Sequence, residues 1–159
     1  MADWPPLYVD PEAVDPAHLD LERAVVGLLL AGDDPVLEIL RAQHAGARAI
    51  RRMFSGVGFV TDFALPPDVP AAIEAKSLFF LSDVGADLNG RAEAAGFHIQ
   101  VKNGRLKLLE GFAYAEMWPS SLQSFTTRYR YPPSLLAKYP EAGGNVRAME
   151  FVGAQWRKS

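Results

Sequence analysis

Apolar residues recur every three to four positions in the first stretch of the chain. After about residue 47 they recur every second position. The first period is that of amphipathic helices and the second that of half-buried strands. Asp15-Pro16 opens the first helix, with the aspartate as N-cap and the proline at a position whose missing N–H costs nothing. Leu21, Val25, Leu28 and Leu29 form its apolar stripe, and Gly32 stops it, so the spacing predicts a helix over 16–31. Asp34-Pro35 repeats the start signal, and Val36, Leu37, Ile39 and Leu40 carry a second helix over 35–45. Residues 1–14, rich in proline and aspartate, read as an extended surface segment.

Strands fill most of the remainder. From Ser55 to Leu65, Val57, Phe59, Phe63 and Leu65 alternate with Gly56, Gly58, Val60 and Asp62, and Pro66-Pro67 ends the run. A second strand spans Leu78 to Leu88, with Val84, Ala86 and Leu88 on one face and Asp83, Gly85 and Asp87 on the other. Residues 96–102 and 105–112 flank Asn103-Gly104, a pair suited to the two-residue type I′ turn because both positions tolerate positive φ. A simple two-residue hairpin sets Lys102 opposite Arg105, Val101 opposite Leu106, Ile99 opposite Leu108 and Phe97 opposite Glu110. Phe125 to Tyr131 reads as a further strand with tyrosines inward and arginines outward, Ser134 to Tyr139 as a short helix, and Met149 to Trp156 as a last strand. The expected fold is α+β: a single domain over 1–159, with two N-terminal helices packed on an antiparallel sheet of four or more strands.

Composition narrows the chemistry more than it names it. Hydrophobic residues make up 49% and charged residues 22% of the chain, enough for a core that needs no covalent staple. The absence of cysteine removes disulfides, thiolate metal sites and cysteine nucleophiles, and fits a cytoplasmic setting. The N-terminal residues lack a basic stretch followed by an apolar one, and the longest apolar run, Ala24 to Ala31, is too short for a membrane span. A formal net charge of −3 argues against nucleic acid as a partner.

Gly56-Val57-Gly58-Phe59, Gly96-Phe97, the turn Asn103-Gly104-Arg105-Leu106, Leu109-Glu110-Gly111-Phe112 and Trp118-Pro119 occur in that order. Over residues 47–120 the chain thereby resembles a set of small bacterial proteins with no assigned activity. The resemblance implies the α+β class and carries no reaction, cofactor or catalytic residue.

Four residues stand out as candidate binding positions. Glu110 falls, in the simple hairpin register, on the face of Leu106, Leu108 and Phe112. A carboxylate there requires an arginine partner such as Arg51, Arg52 or Arg128, a polar pocket, or a bulge that turns it outward. Met117 and Trp118 form either an exposed anchor or a lid folded on the core. Arg128, in the alternating run Arg128-Tyr129-Arg130-Tyr131, faces outward and could meet a partner. Asp62, Asp83 and Asp87 share the expected non-core face, and a solvated sheet surface explains them more simply than a cation site. His18, His44 and His98 are scattered, so no metal centre is expected. Gly56-Val57-Gly58 lacks the third glycine and the helix of a phosphate loop, and no serine sits in a nucleophile elbow. The leading expectation is a non-enzymatic interaction module without a cofactor, an accessory or immunity-type protein that recognises another protein. The alternative is a small-molecule or catalytic pocket containing Glu110, between sheet and helices.

Overall fold

In the computed structural model, residues 7–9 and 14–158 are described. The strands are β1 (Leu7–Val9), β2 (Arg48–Phe54), β3 (Gly58–Ala64), β4 (Leu78–Leu88), β5 (Arg91–Lys102), β6 (Arg105–Ala113) and β7 (Phe125–Tyr129). The helices are α1 (Pro16–Leu29), α2 (Pro35–Gly46), α3 (Pro133–Lys138) and α4 (Met149–Gly153). The strands form one antiparallel sheet in the order β1-β2-β3-β6-β5-β4-β7, so β6 is its central strand. Helices α1 and α2 pack on one face of it, as the change of period implied. Leu21, Val25 and Leu29 of α1 and Leu37 and Leu40 of α2 are fully buried against Phe97, Ile99 and Leu109 of the sheet.

Both helices begin where expected, but their caps differ. Asp34 accepts from the Val36 N–H at 2.8 Å, whereas the Asp15 side chain makes no capping bond. At the other end of α2, Gln43 is fully buried and fully engaged. Its Nε2 donates to the carbonyls of Pro70 (2.9 Å) and Gly104 (2.8 Å), and its Oε1 accepts from Leu106 N–H at 3.0 Å. A buried amide with its donors and acceptor used is a strong local anchor, here between α2 and the β5–β6 turn.

The Asn103-Gly104 turn forms as expected, with φ of 52° and 75°, and sets Lys102 opposite Arg105 and Val101 opposite Leu106. The register then slips. Gln100 lies opposite Leu108 and Ile99 opposite Leu109, so Lys107 is an extra residue in β6. Beyond this bulge every side chain changes face relative to the simple hairpin. Leu109 and Gly111 point to the helices, while Leu108, Glu110 and Phe112 point away. The adjacent leucines Leu108 and Leu109 break the alternation and are its trace in the sequence.

Two further expectations are corrected. The run 55–65 is not one strand. Ser55 to Val57 form the turn between β2 and β3, and Val57 is exposed rather than inward. Gly58 faces the β6 backbone so closely that a Cβ there would sit 2.0 Å from the Gly111 carbonyl oxygen, which explains the glycine. The second correction is at the C-terminus, where Met149–Gly153 is helical. The buried side chains of this stretch, Ala148 before the helix, Val152 within it and Trp156 after it, are four residues apart, the spacing of a helix and not of a strand.

Candidate functional site

Because both long helices lie on one side, neither of them covers the other face of the sheet. An antiparallel sheet can present such a face to water, normally with polar side chains. Here it is mixed. Met53, Val60, Leu78, Phe80, Leu108 and Phe112 all point to it, as the strand registers require. An aromatic ladder crosses the middle strands, Phe80 edge-on to His98 (5.4 Å between centroids), His98 tilted against Phe112 (5.8 Å) and Phe112 edge-on to Tyr114 (5.4 Å). The Arg130 guanidinium lies 5.0 Å over the Tyr114 ring and ends the ladder. Phe80 (41%) and Tyr114 (54%) are both exposed to solvent.

Glu110 stands at the centre of this face, on β6 opposite His98, with Oε2 3.1 Å from His98 Nε2. Of the three expected arrangements the outward-turning bulge is the one that forms: the carboxylate faces away from the helices, and its partner is a histidine rather than an arginine. A pocket between sheet and helices therefore cannot contain it. The Glu110 side chain is 40% exposed, and such a pair contributes about 0–1 kcal/mol. Glu110→Gln should accordingly leave the unfolding free energy within about 1 kcal/mol of the parent's, measured in urea or on heating. A larger loss would show that the pair supports the sheet itself.

Charges around the ladder are matched on the same face. Arg51 pairs with Asp62 across β2 and β3 at 2.6 Å, and Arg128 of β7 pairs with Asp87 of β4. The Glu93 backbone N–H donates to Asp87 and, with Arg128, holds its carboxyl below the usual range. Arg128 thus lies at the rim of the face holding Glu110, pointing outward as expected. Asp83 does not join these carboxylates. A second bulge, two residues of β4 opposite His98 between Leu81↔Ile99 and Val84↔Phe97, turns it inward. There it is buried with Arg147 and Tyr131. Among the described residues no cluster of three or more potential ligands could hold a metal ion.

Met117 and Trp118 part company. Trp118 is only 8% exposed, edge-on to Phe59 at 5.3 Å and to Phe97 at 6.2 Å. It is the lid of the two readings and not the anchor. Met117 remains 54% exposed. The loop that carries them is fixed at both ends. Trp118 N–H donates to the Gly56 carbonyl at 2.8 Å, and Asn89 Oδ1 accepts from Gln123 N–H at 2.7 Å.

This loop walls a cleft of about 490 Å³ with the start of α1 and the β2–β3 turn. Its apolar lining includes Val14, Phe54, Met117, Trp118, Pro119 and Leu122, and its polar groups are Asp15, His18 and Ser120. Below it sits a buried charge cluster that no local sequence signal announced. Arg52 donates to Glu22 from Nε (2.8 Å) and Nη2 (3.2 Å), and His18 Nε2 lies 2.7 Å from Glu22 Oε2. Burial pushes the Glu22 carboxyl up, but His18 and Arg52 outweigh it and hold the group below its ordinary value. His18 follows Asp15 by three residues and precedes Glu22 by four, so one helical face carries all three. Arg52 comes from a strand not expected as separate.

No family model, curated protein or solved structure matches the chain. The two arrangements, an uncovered aromatic sheet face and a cleft above a buried ion cluster, are the grounds for a functional reading.

Proposed function

We propose that this chain is a non-enzymatic interaction module that recognises another protein across the open face of its sheet, as an accessory or immunity-type protein would. The ladder from Phe80 to Tyr114, standing on a sheet face that neither long helix covers, is the observation that supports this most. Exposed apolar surface rimmed by polar groups marks contact sites in folded proteins. Aromatic residues, with arginine at the rim, are the side chains that most often dominate binding energy at interfaces. Since Arg51, His98 and Arg128 are each matched by a carboxylate on the same face, the partner should offer an apolar centre rather than a strongly charged one. On this reading the module works in a bacterial cytoplasm, as the resemblance implies and a cysteine-free chain permits. No described helix is long and apolar enough to cross a membrane.

The test uses Phe80→Asp/Tyr114→Asp, whose two positions are exposed enough to leave the fold intact, as a thermal melt would verify. Bait protein, parent and variant, is compared in capture from the source cells, with light scattering of the purified chain alongside. The expected result is a partner bound by the parent and weakened at least tenfold in the variant, about 1.4 kcal/mol or more. Equal capture by both baits, no partner specific to the parent, or self-association through this face would overturn the reading.

A further inference from the structure

We propose that the partner meets the open sheet face with an acidic segment laid across its β5–β6 end. The inference rests on the protein-recognition reading and adds the partner's charge and orientation. Lys102 of β5 stands directly opposite Leu78 of β4 on one side and Arg105 of β6 on the other. It follows Gln100 by two residues and His98 by four along β5, so it points to the same open face. Lys107, the extra residue of the β6 bulge, and Lys76, two residues before Leu78, are exposed cations at this end. Among the described residues none of the four has an ion-pair partner, although Glu74 lies only two residues from Lys76. The other arginines of the face differ. Arg51 pairs with Asp62, Arg128 with Asp87, and Arg130 reaches Glu93 at 3.7 Å.

The fold gains nothing from the basic end. Like charges directly opposite each other in an antiparallel pair are destabilising. The turn between Lys102 and Arg105 is set by Asn103-Gly104 and needs neither cation. A carboxylate laid between the two relieves their repulsion, which no described side chain does. Exposed charge contacts add little affinity singly, but they steer encounter and fix the orientation of a docked partner. From this end the face runs from cations to Leu78 and Phe80, then to Phe112 and Tyr114. That order fits a protein segment with carboxylates at one end and apolar side chains beside them. A nucleic-acid strand carries a charge on every nucleotide. Extended along the face, it would set phosphates against Glu110 at the centre and Asp87 at the far rim. An anionic bilayer would meet a chain of net charge −3.

The full chain is titrated by NMR with an acidic peptide, a run of glutamates followed by leucine and phenylalanine, and with its glutamine counterpart. The expected result is saturable binding of the acidic peptide, at least tenfold tighter, with amide shifts over Leu78–Phe80 and Lys102–Lys107. Added salt should bring the two affinities together. Lys102→Glu/Arg105→Glu should weaken the acidic peptide at least tenfold. The facing charges stay alike in that variant, so its melting temperature should be unchanged. Lys102→Gln/Arg105→Gln serves should it fold poorly. Equal affinity for the two peptides, or binding indifferent to the folded variants, would overturn the inference. So would tighter binding of oligothymidylate or of phosphatidylserine vesicles through the same residues. Capture from the source cells separates the two readings. A partner lost with Phe80→Asp/Tyr114→Asp but kept by the charge-reversed chain overturns the acidic segment alone. Absence of any partner specific to the parent overturns protein recognition with it.

Discussion

Arg52→Met should lower the unfolding free energy by about 3–5 kcal/mol at neutral pH, because it leaves the Glu22 carboxylate buried without the guanidinium that grips both its oxygens. The sign of the pH dependence makes this more than a stability measurement. In the parent, the Glu22 pKa is lowered on folding, since His18 and Arg52 outweigh burial. Its contribution is therefore present above the ordinary value of 4.5 and is lost as the pH falls through the folded value. His44 adds an earlier acid-sensitive step. Burial lowers its pKa against the opposing charge of Glu22, so its contribution declines as the pH falls below the ordinary 6.5. In Arg52→Met, burial should dominate at Glu22 and raise its pKa, so that acid neutralises the stranded charge. The gap between the two proteins should then narrow as the pH falls from neutral toward 4.5, where acid relieves the variant, and further below it, where the parent loses its own contribution. Glu22→Gln/Arg52→Met should recover much of the loss, since removing both charges leaves neither stranded. Denaturant titrations from pH 7 to pH 4 measure all three effects. A loss under 1 kcal/mol, or a gap that does not change with pH, would mean that water reaches the carboxylate.

The cluster also shows where sequence reading succeeds and where it stops. Periodicity and end signals placed both long helices, the strand from Leu78 to Leu88 and the Asn103-Gly104 turn, because each depends on chemistry within a few residues. Glu110 was placed on the wrong face for a specific reason. The turn fixes only the first pairs of the hairpin, and one extra residue at Lys107 reverses everything beyond it. The sequence does mark the break, since Leu108 and Leu109 cannot both point inward from an extended strand. The pair Ser82-Asp83 between Leu81 and Val84 marks the β4 bulge in the same way. No comparable mark exists for Glu22 and Arg52, which are 30 residues apart and meet only through the packing of α1 on the sheet. Trp118 was undecided between anchor and lid because composition describes both, and only the hydrogen bond to the Gly56 carbonyl fixes which one forms.

The same logic of a buried charge with one partner predicts a comparable loss at the opposite edge of the sheet. Asp83→Ala should destabilise the protein by about 3–5 kcal/mol, because it strands the Arg147 guanidinium, whose side chain is as buried as that of Asp83. Arg147 donates to Asp83 from Nε (3.0 Å) and Nη2 (2.8 Å), and from Nη1 to the Ala31 carbonyl at 2.7 Å. Tyr131 donates its hydroxyl to Asp83 at 2.7 Å and accepts from the Ala148 N–H at 2.9 Å. One carboxylate in the β4 bulge thus joins the end of α1, the segment after β7 and the approach to α4. Removing it should release the C-terminal segment before the central strands. Amide exchange over 140–158 should rise by a larger factor than exchange over β5 and β6. Burial, reinforced by the bond to Asp83, raises the Tyr131 pKa well above 10, so its contribution is present below pH 10 and is lost as the pH rises beyond it. In the variant, the Tyr131 titration followed by NMR of labelled tyrosine should move back toward 10 as the carboxylate acceptor disappears. Uniform acceleration of exchange across the sheet would instead make Asp83 a support of the whole core. An unmoved Tyr131 titration would leave burial alone as the source of its shift.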